Sequence, residues 1–566
     1  MNEIECNEMK LKDRGKGRKE EEEKKTKTPP KIRIDLEGIQ DRVIEFPIPD
    51  GIYSHITGLK NKVLFLSYPL LEENDPEDVD ENEAELQVYD FETQKVETLI
   101  EDISSYKVSK NLSRLVYKTE KKLRVIKAGE KPENYDEEET YRKKGGWIDL
   151  SRVKVEINPR QEWTQILNEA WRLQRDHYWH QDMSDVDWYE VKERYNQVLQ
   201  RVSTREELND LMWEMQGELG TSHAYVVGGD LKRPPLYPIG SLAADFSWDA
   251  KKKAYRIDHI IGGNRWHVKR SSPLSRPGLQ VKEGDYIWEI NGHKLDTYNP
   301  PEKFLLNQAR QDVRLQVSDS SGKVKRYITV TTLCSAYPAA YQEWVKKNRA
   351  YVHEKTNGKV GYIHIPDMGT QGFAAFYHGF LTEFYRDGLI IDVRYNGGGN
   401  VSALLLEKLA RRRLGFDQAR WFGVQTYPAY APSGAMVALT NEYAGSDGDI
   451  FSHSFKLMGL GPLIGKRTWG GVIGIWPRYD LVDGGYTTQP EFSFWFKDVG
   501  WKVENHGTDP DIEVEYKPQD YARDVDPQLD RSIEEVLKII QTTDILREPD
   551  LNTKPSFRPK KLTRLP

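Results

Sequence analysis

The sequence predicts a multidomain α+β protein, on three observations. Its 566 residues are too many for one hydrophobic core and indicate three or four domains. The spacing of apolar residues changes along the chain, from short strand-like runs to a helical period and back to strands. The last third alternates apolar strands with helices, which is typical of a parallel α/β domain.

Composition argues against several classes of function. The 82 Lys and Arg residues are nearly balanced by 89 Asp and Glu residues, so we expect no dedicated nucleic-acid surface. Cys6 and Cys334 are the only cysteines, too few for a disulfide framework or a Cys-ligated zinc site. No run approaches the roughly eighteen apolar residues of a membrane span, and the N-terminus lacks the pattern of a signal peptide. We therefore expect a cytoplasmic protein without a membrane partner.

The first quarter of the chain predicts a disordered tail and then a β-rich region. Residues 1–30 are rich in Lys and Glu and hold almost nothing to bury. Between 31 and 145, turn residues separate short β-rich runs at 32–34, 63–66, 86–89, 115–117 and 123–126. These meanders resemble the last blades of a β-propeller, and one or two blades cannot close that fold. We predict a partial β-propeller remnant that relies on another chain or on its own downstream domains.

Two further domains are expected in the middle of the chain. Residues 155–232 predict a small helical domain, because Trp163, Ile166 and Ala170 follow a helical period and Thr204 opens a second helix. Residues 236–335 return to strands. The stretch 278–292 runs from Gly and an apolar residue to Gly-Asp and a strand that ends in Ile-Asn-Gly, which is the order of a PDZ-like domain. Such a domain can accept an extended peptide as an added strand.

Residues 340–545 predict the α/β catalytic domain, and residues 546–566 a C-terminal tail. We expect strands at 360–365 and 388–394, and helices at 373–384 and 401–412. Sites in such a sheet form at the carboxyl ends of the strands. A triple glycine at 397–399 and Ser446 each follow one of these strands.

Ser446 lies where a buried strand turns into a helix. A helix N-terminus offers unpaired amides and a positive dipole end, so a serine there sits beside donors for a developing oxyanion. Ser, Asp and Gly are also the residues of an ordinary helix N-cap. The turn alone therefore leaves both a nucleophile and a cap open.

Other polar residues are ambiguous by type alone. The triple glycine fails the dinucleotide-loop spacing at Ser402, and its other use is to present an amide to a substrate. His177, His180 and Asp182 place at most two ligands on one helix face, so we expect no metal and no cofactor.

His223 and Glu504 each allow two interpretations. A lone histidine such as His223 is structural or catalytic, and Glu504 on charge alone is a surface carboxylate.

Three separated motifs make the interpretation specific. They are Ala-Gly-Ser-Asp-Gly at 444–448, Gly-Glu-Leu-Gly-Thr-Ser-His-Ala-Tyr at 217–225, and Glu-Asn-His-Gly at 504–507 with Pro-Asp at 510–511. With the order of helical, PDZ-like and α/β domains, they resemble the tricorn protease family. Those proteins are cytosolic serine peptidases related to the carboxyl-terminal processing peptidases. The resemblance covers roughly residues 31 to 545.

The resemblance implies a catalytic tetrad. Ser446 matches the nucleophile and His223 the general base. Ser222 matches the serine that bridges the histidine to the acid, and Glu504 matches that acid. The bridge fixes the imidazole tautomer, so that the other ring nitrogen can take the proton of Ser446.

The resemblance also assigns the groups around the tetrad. The oxyanion donors would be the backbone amides of Gly399 and Asp447, each worth about 3 kcal/mol of barrier. Asp417 matches the acidic residue with which the family favours a basic side chain before the scissile bond. By residue type alone, Asp417 is equally a carboxylate of a helix-terminal turn.

For the whole protein, the resemblance implies a peptidase that hydrolyses oligopeptides and acts downstream of the proteasome or of other ATP-dependent proteases. It also implies a homohexameric ring, aminopeptidase partners and an active site that a neighbouring subunit could share. Family members carry two complete propellers, whereas this chain has about the last blade and a half, which fits a truncated or split reading frame. Without the propellers, endo- and exo-type cleavage both stay open. The competing hypothesis is a non-catalytic peptide-binding scaffold that uses the PDZ-like domain and the propeller remnant.

Overall fold

The computed structural model describes residues 34–69, 84–119, 122–132, 145–232, 234–264 and 267–554. The predicted disordered tail, all but the last residue of the first β-rich run, and residues 555–566 lie outside this description. The chain divides into two compact units, Met1–Val153 and Lys154–Pro566. No helix among the described residues is long and apolar enough to cross a membrane.

The first unit contains two four-stranded antiparallel sheets, in which each strand pairs with the next along the chain. The first sheet consists of β1 (Ile52–Leu59), β2 (Lys62–Tyr68), β3 (Ala84–Asp90) and β4 (Lys95–Ile103). The second consists of β5 (Ser105–Val108), β6 (Arg114–Thr119), β7 (Lys122–Lys127) and β8 (Trp147–Ile148). Buried side chains from both sheets, among them Leu64, Leu86 and Leu115, form one apolar core.

The second unit begins with three helices packed on a common core. They are α1 (Pro159–His177), α2 (Trp188–Leu199) and α3 (Arg205–Gly217). The predicted start of the helix after Thr204 is confirmed: its hydroxyl accepts from the Glu207 amide, and the Glu207 carboxylate reaches back to the Thr204 amide. The short strand β9 (Val226–Val227) follows the helices.

A six-stranded antiparallel sheet comes next and has its own core. Its members are β10 (Ala244–Asp249), β11 (Ala254–Ile260), β12 (Tyr286–Ile290), β13 (His293–Lys294), β14 (Asp312–Ser318) and β15 (Lys325–Thr331), with α4 (Pro301–Phe304) between β13 and β14. The path runs β10-β11-β12-β14-β15, and β13 pairs with β12.

A five-stranded parallel sheet forms the last part of the chain, with helices on both faces. In chain order the elements are α5 (Tyr337–Lys355), β16 (Val360–His364), α6 (Thr370–Glu383), β17 (Gly388–Asp392), α7 (Ser402–Leu409), β18 (Gly415–Ala419), β19 (Gly423–Tyr427), β20 (Ala435–Thr440), α8 (Asp447–Leu457), β21 (Leu463–Gly465), β22 (Gly474–Ile475), β23 (Tyr486–Thr487), β24 (Pro490–Phe492), β25 (Ile512–Glu513), α9 (Pro518–Ala522) and α10 (Pro527–Thr542). The sheet order is β16-β17-β20-β21-β25. Its three first strands are buried along their whole length, as parallel strands covered on both faces are.

Two features of this fold position the site. Strands β17 and β20 are parallel neighbours, so the loops that leave their carboxyl ends meet at one edge of the sheet. The helical region is joined to the last domain by the pairing of β9 with β23 and by the buried ion pair Arg205–Asp483, at 2.6 Å. The turn that follows α3 is thereby held against the sheet edge.

The predicted helix at 401–412 is too long. Helix α7 ends at Leu409, and the chain enters the β18–β19 hairpin soon afterwards. The apolar residues that α7 buries end with Leu409, and three consecutive arginines follow. With no apolar face left to bury, the helix has little reason to continue.

Candidate active site

Ser446 occupies the turn between β20 and α8, as the sequence predicts. Its backbone has φ 56° and ψ −121°, a left-handed conformation that costs energy for a residue with a Cβ. It stands at the N-cap position, but its side chain makes no capping hydrogen bond, so the interpretation as an ordinary cap is wrong for the hydroxyl. Among the described residues, Ser446 Oγ has no hydrogen-bond partner, which leaves it available for chemistry.

The triple glycine lies directly against this turn. A Cβ on Gly398 would stand 2.5 Å from the Cβ of Ser446 and 3.1 Å from its Oγ. Gly399 has φ 148°, and a Cβ there would stand 2.1 Å from the carbonyl oxygen of Met368, with which Gly399 forms a parallel bridge. Both positions therefore require glycine.

The two predicted oxyanion donors both have unused amides. Within the described residues, neither the Gly399 amide nor the Asp447 amide donates to a protein acceptor. Asp447 is the first residue of α8, where helix geometry leaves the amide without an internal partner. The two amides lie on the loops that leave β17 and β20.

The side chain of Asp447 has a separate role. It is buried and accepts hydrogen bonds from the amide, at 2.9 Å, and the hydroxyl of Ser402, the first residue of α7. Burial raises the pKa of this carboxyl, and the Ser402 hydrogen bonds act in the opposite direction. The contact ties the start of α8 to the start of α7, immediately after the glycine loop.

A hydrogen-bonded path joins His223 to Glu504. The hydroxyl of Ser222 lies 2.8 Å from Nδ1 of His223 and donates to Oε2 of Glu504 at 3.2 Å. The Ser222 amide donates to Oε1 of the same carboxylate at 2.7 Å. His223 has φ 60°, so the turn that aligns this path is itself strained.

Glu504 is held by backbone as well as by Ser222. Its Oε2 accepts from the amides of Val472 and Ile473, at 2.7 and 3.0 Å. Every one of its described partners is a donor, so the carboxylate can serve only as an acceptor here. The alternative of an ordinary surface carboxylate does not fit these contacts.

His223 is buried, and burial lowers the pKa of its imidazole below the usual range because the charged form loses its water. The negative charge of Glu504 acts in the opposite direction. The ring is therefore mostly neutral at neutral pH, as a general base must be.

Trp469 connects the two halves. Its amide donates to the carbonyl of Ala444 at 3.0 Å, two residues before Ser446. Its ring meets the His223 ring edge to face, with centroids 5.4 Å apart. The imidazole and the nucleophile turn thus flank one indole, although no hydrogen bond joins His223 to Ser446 in this structure.

Asp417 does not join this group through any described contact. It lies in β18, opposite Gln425 of β19, and is exposed. The alternative of a helix-terminal turn is wrong, because the residue belongs to a strand. The turn of this hairpin carries Trp421, which is 92% exposed.

The weaker candidates have structural partners. His177 stacks on Tyr479 with ring centroids 4.7 Å apart, and His180 pairs with Asp182 at 2.6 Å. In the part of the chain that the structure describes, no group of three His, Cys, Asp or Glu side chains could hold a metal ion.

Three residues around the candidate site escape reasoning from sequence: Gly398, Trp469 and Asp449, which is buried in the first turn of α8 and accepts from the Gly470 amide at 2.9 Å. The glycine run drew attention to 397–399 but not to which member touches the nucleophile. Asp449 follows Ser446 by three residues, the Ser-x-x-Asp spacing of a helix start, and this signal could have singled it out. No local pattern marks Trp469.

Family profiles match three consecutive parts of the chain. The tricorn protease C1 domain matches residues 159–217, the tricorn protease PDZ domain residues 240–335, and peptidase family S41 residues 359–514. Thus the helices, the six-stranded sheet and the parallel sheet each have a counterpart.

Whole-chain comparisons agree. Tricorn protease homolog 1 of Streptomyces coelicolor is 42% identical over 529 residues, which are 92% of this chain and 49% of that protein. The tricorn protease homolog of Saccharolobus solfataricus is 45% identical over 505 residues, 89% of this chain and 46% of that protein. The crystal structure of the tricorn protease superposes with a TM-score of 0.76 at 35% identity, over 88% of this chain and 47% of that one.

The chain therefore spans about half the length of the relatives it matches. Within that half, the order of the domains and the similarity over about nine tenths of the chain lead to one conclusion: it belongs to the tricorn protease family.

Proposed function

We propose that this chain is a serine peptidase that hydrolyses oligopeptides through Ser446, His223, Ser222 and Glu504. The observation that carries the proposal is the path from Glu504 through the Ser222 hydroxyl to Nδ1 of His223. A histidine with a purely structural role has no need of a half-buried acid aligned through a hydroxyl. A non-catalytic peptide-binding scaffold, the competing hypothesis, does not call for this path or for an unbonded serine on a strained turn.

In the proposed mechanism, Nδ1–H of His223 donates to Ser222 Oγ, and the Ser222 hydroxyl donates to Glu504. This tautomer leaves Nε2 free to take the proton of Ser446 Oγ as that oxygen attacks the peptide carbonyl carbon. The imidazolium then gives the proton to the leaving amine, and an ester links the acyl group to Ser446. Water, deprotonated by the same imidazole, attacks the ester and releases the acid and the serine hydroxyl.

The negative charge that develops on the carbonyl oxygen would be stabilised by the amides of Gly399 and Asp447. Their lack of another described acceptor supports this role. Such donors act best when they are already oriented before the reaction. The hydrogen bonds between Asp447 and Ser402 favour that, since they join the two helix starts beside the donors.

We propose a preference for a basic residue before the scissile bond, determined by Asp417. An acidic side chain at the base of a pocket selects Lys or Arg by charge pairing. Asp417 is exposed on the β18–β19 hairpin, so it is accessible to a substrate held at this chain or at a second copy.

The remaining assignments extend the family comparison to the whole protein. We propose that it works as a homohexamer, on oligopeptides released by the proteasome or other ATP-dependent proteases, together with aminopeptidases. We also propose that the two four-stranded sheets of the first unit are blades of a partial β-propeller, and that the six-stranded sheet is a PDZ-like domain. Four antiparallel strands per sheet are the composition of a propeller blade.

The test of the proposed function compares the protein with Ser446→Ala on an arginyl fluorogenic peptide. Ser454→Ala on the same helix is the matched control. We expect Ser446→Ala to lose at least about 10⁴-fold in kcat and Ser454→Ala to keep the original rate. A fluorophosphonate should label Ser446 in the unmodified protein and in Ser454→Ala, and should not label Ser446→Ala. Equal hydrolysis by all three proteins, without labelling of Ser446, would show that the chain is not this kind of peptidase.

The specificity proposal has its own test. The ratio of kcat/KM for arginyl and phenylalanyl peptides should fall by about threefold to fivefold in Asp417→Asn, since the charge pair is lost. Gln425→Ala, at the cross-strand partner, should leave the ratio unchanged. Equal rates on both peptides before any substitution would contradict the preference itself.

A further inference from the structure

One short segment, residues 469–473, contacts His223, Glu504 and the turn that leads to Ser446. Trp469 bonds to the turn before Ser446 and packs its ring on His223. The amides of Val472 and Ile473 donate to Glu504. Whatever holds this segment therefore contributes to the distance between the base and the nucleophile.

The same segment also reaches the acid by a second route. The carbonyl of Gly470 accepts from the amide of Asn505, at 2.7 Å, next to Glu504. The side chain of Asn505 in turn donates to the carbonyl of Gly220, at 2.6 Å, two residues before Ser222. The loops that carry relay and acid are thus tied together around residues 469–473.

Asp449 anchors this segment to the nucleophile helix. It lies one turn after Ser446 on α8 and is 0% exposed. Its Oδ1 accepts from the amide of Gly470 at 2.9 Å. Its Oδ2 accepts no hydrogen bond of good geometry from any described residue, although the Thr468 hydroxyl and the Ser446 amide lie near enough to affect its titration.

A carboxyl in this position is expensive for the fold. Burial raises the pKa of Asp449 to about 7; the hydrogen-bonding groups of Thr468, Gly470 and Ser446 lower it, and the charge of Glu504 raises it further. Near neutral pH much of this carboxyl is therefore protonated, and its carbonyl oxygen can still accept from Gly470. An apolar residue would fill the site without this desolvation cost, which argues for a role other than stability.

We propose that Asp449 is a positioning residue of the peptidase site, which fastens residues 469–473 to the first turn of the nucleophile helix and so holds His223 in reach of Ser446. The expected effect on the reaction rate rests on the proposed function. The attachment of residues 469–473 to α8 rests on the geometry alone. Asp449 touches no reacting atom. Its effect is transmitted through Gly470 and Trp469.

Three variants test the inference. Asp449→Asn keeps an acceptor oxygen of the same length, Asp449→Ala removes it, and Ser452→Ala is a control on the same helix. Ser452 is equally buried, and its hydroxyl bonds only to the carbonyl of Gly448, away from residues 469–473. If Asp449→Ala unfolds at the assay temperature, Asp449→Ser replaces it, because the serine side chain is too short for its hydroxyl to reach Gly470.

Two measurements are made on each variant. The first is kcat and KM for an arginyl peptide, with the rate of fluorophosphonate labelling. We expect Asp449→Ala to lose about thirtyfold in kcat and in labelling rate at unchanged KM, and the Asn and control variants to stay within about threefold. The second is amide hydrogen exchange. Residues 469–473 should exchange at least about tenfold faster in Asp449→Ala and normally in the other two.

The outcomes separate the two proposals. If the unmodified protein is active while Asp449→Ala matches Ser452→Ala in kcat, labelling and exchange, Asp449 does not position the site. If the unmodified protein neither cleaves nor labels, the proposed function fails, and hydrogen exchange alone still decides whether Asp449 fastens residues 469–473. A rise in KM with unchanged kcat would also overturn the inference, because it would indicate loss of substrate binding rather than misplacement of the base.

Discussion

The nucleophile half and the relay half of the candidate site are built in different ways. Ser446 and the glycine loop follow β20 and β17, which are adjacent in one parallel sheet. Ser222, His223 and Glu504 lie on loops separated by about half of the chain and meet through side-chain and loop hydrogen bonds. The first half is positioned by strand pairing, whereas the second depends on the contacts of individual residues.

This difference predicts which kind of substitution disturbs each half of the site. Strand pairing is shared among many backbone hydrogen bonds, so the nucleophile half can be disturbed mainly by adding atoms where there is no room. The relay half is disturbed by removing one donor or acceptor, since single hydrogen bonds join Ser222 to His223 and to each oxygen of Glu504. The buried pair Arg205–Asp483 and the short β9–β23 pairing are two of the contacts that join the helical region to the rest.

After loss of the nucleophile itself, the largest effect is expected from crowding it. In Gly398→Ala, the new Cβ would stand 2.5 Å from the Cβ of Ser446, and the glycine has φ 85°, so the turn must move. A displacement of about 1 Å at a reacting atom already costs about 100-fold, and we expect a loss of more than about 10³-fold in kcat. The measurement is kcat on an arginyl peptide together with labelling of Ser446.

Gly397→Ala is the matched control for that substitution. A Cβ on Gly397 meets no atom within 4 Å, so this variant should keep its activity within about twofold. Equal losses in both variants would mean that the loop tolerates no alanine for reasons other than contact with Ser446, and the packing argument would be wrong.

A smaller loss is expected from Glu504→Gln. One carboxylate oxygen, Oε2, accepts from the amides of Val472 and Ile473 and from the Ser222 hydroxyl. The other, Oε1, accepts from the Ser222 amide. A Gln amide group must turn its NH2 toward at least one of these donors, which breaks the relay geometry. We expect kcat to fall by about 10²- to 10³-fold with little change in KM. Glu442→Gln, on the exposed loop after β20, is the control and should have no effect. A rate close to that of the unmodified protein would remove Glu504 from the relay.

The nucleophile half was also the more predictable from sequence. A buried strand, a turn and a helix lie in consecutive residues, so local patterns are enough to find Ser446 and the glycine loop. Ser222, His223 and Glu504 were assigned only through the family resemblance. The reason is physical: their contacts join residues more than 280 apart in sequence, and no local period records such pairs.

Asp417 and Trp469 show the same limit of local sequence patterns. By residue type alone Asp417 could also have been a carboxylate of a helix-terminal turn, whereas the residue pairs across a hairpin with Gln425. Trp469 was not singled out, because its role depends on Ala444 and His223 being brought to it. The fold class followed from periodicity, but these tertiary contacts did not.

Loss of the relay hydroxyl should cost less than loss of the acid. In Ser222→Ala, Nδ1 of His223 loses its partner, but Glu504 keeps the three amides that hold it and its charge remains close. We expect kcat to fall by about tenfold. Thr221→Val is a neighbouring control, since the Thr221 hydroxyl is buried without a described partner, and it should leave kcat unchanged. A loss as large as that of Glu504→Gln would mean that the hydroxyl, and not the charge, carries the coupling.

The smallest effect concerns pH. His223 acts as a base only when neutral, and burial places its pKa below 6.5. At pH 6.5 more than half of the imidazole is therefore neutral, so kcat/KM should fall less than about twofold from its plateau there and decline only at lower pH. Removing the charge of Glu504, which favours the imidazolium, should lower the pKa further, so the acid limb of Glu504→Gln should move to lower pH. The measurement is kcat/KM from about pH 5 to 8.

Asp449→Asn identifies the group that produces this acid limb. Asp449, with a pKa of about 7, titrates nearby, and the charge of Glu504 raises its pKa as well, so the shift in Glu504→Gln alone does not separate the two groups. The Asn variant cannot titrate at that position. If its acid limb matches that of the unmodified protein, the limb belongs to His223; if the limb disappears, the base is not the group that limits the rate in acid. A half-maximum above pH 6.5 that persists in Asp449→Asn would contradict the lowered pKa of His223 and, with it, the argument that burial prepares this residue as a neutral base.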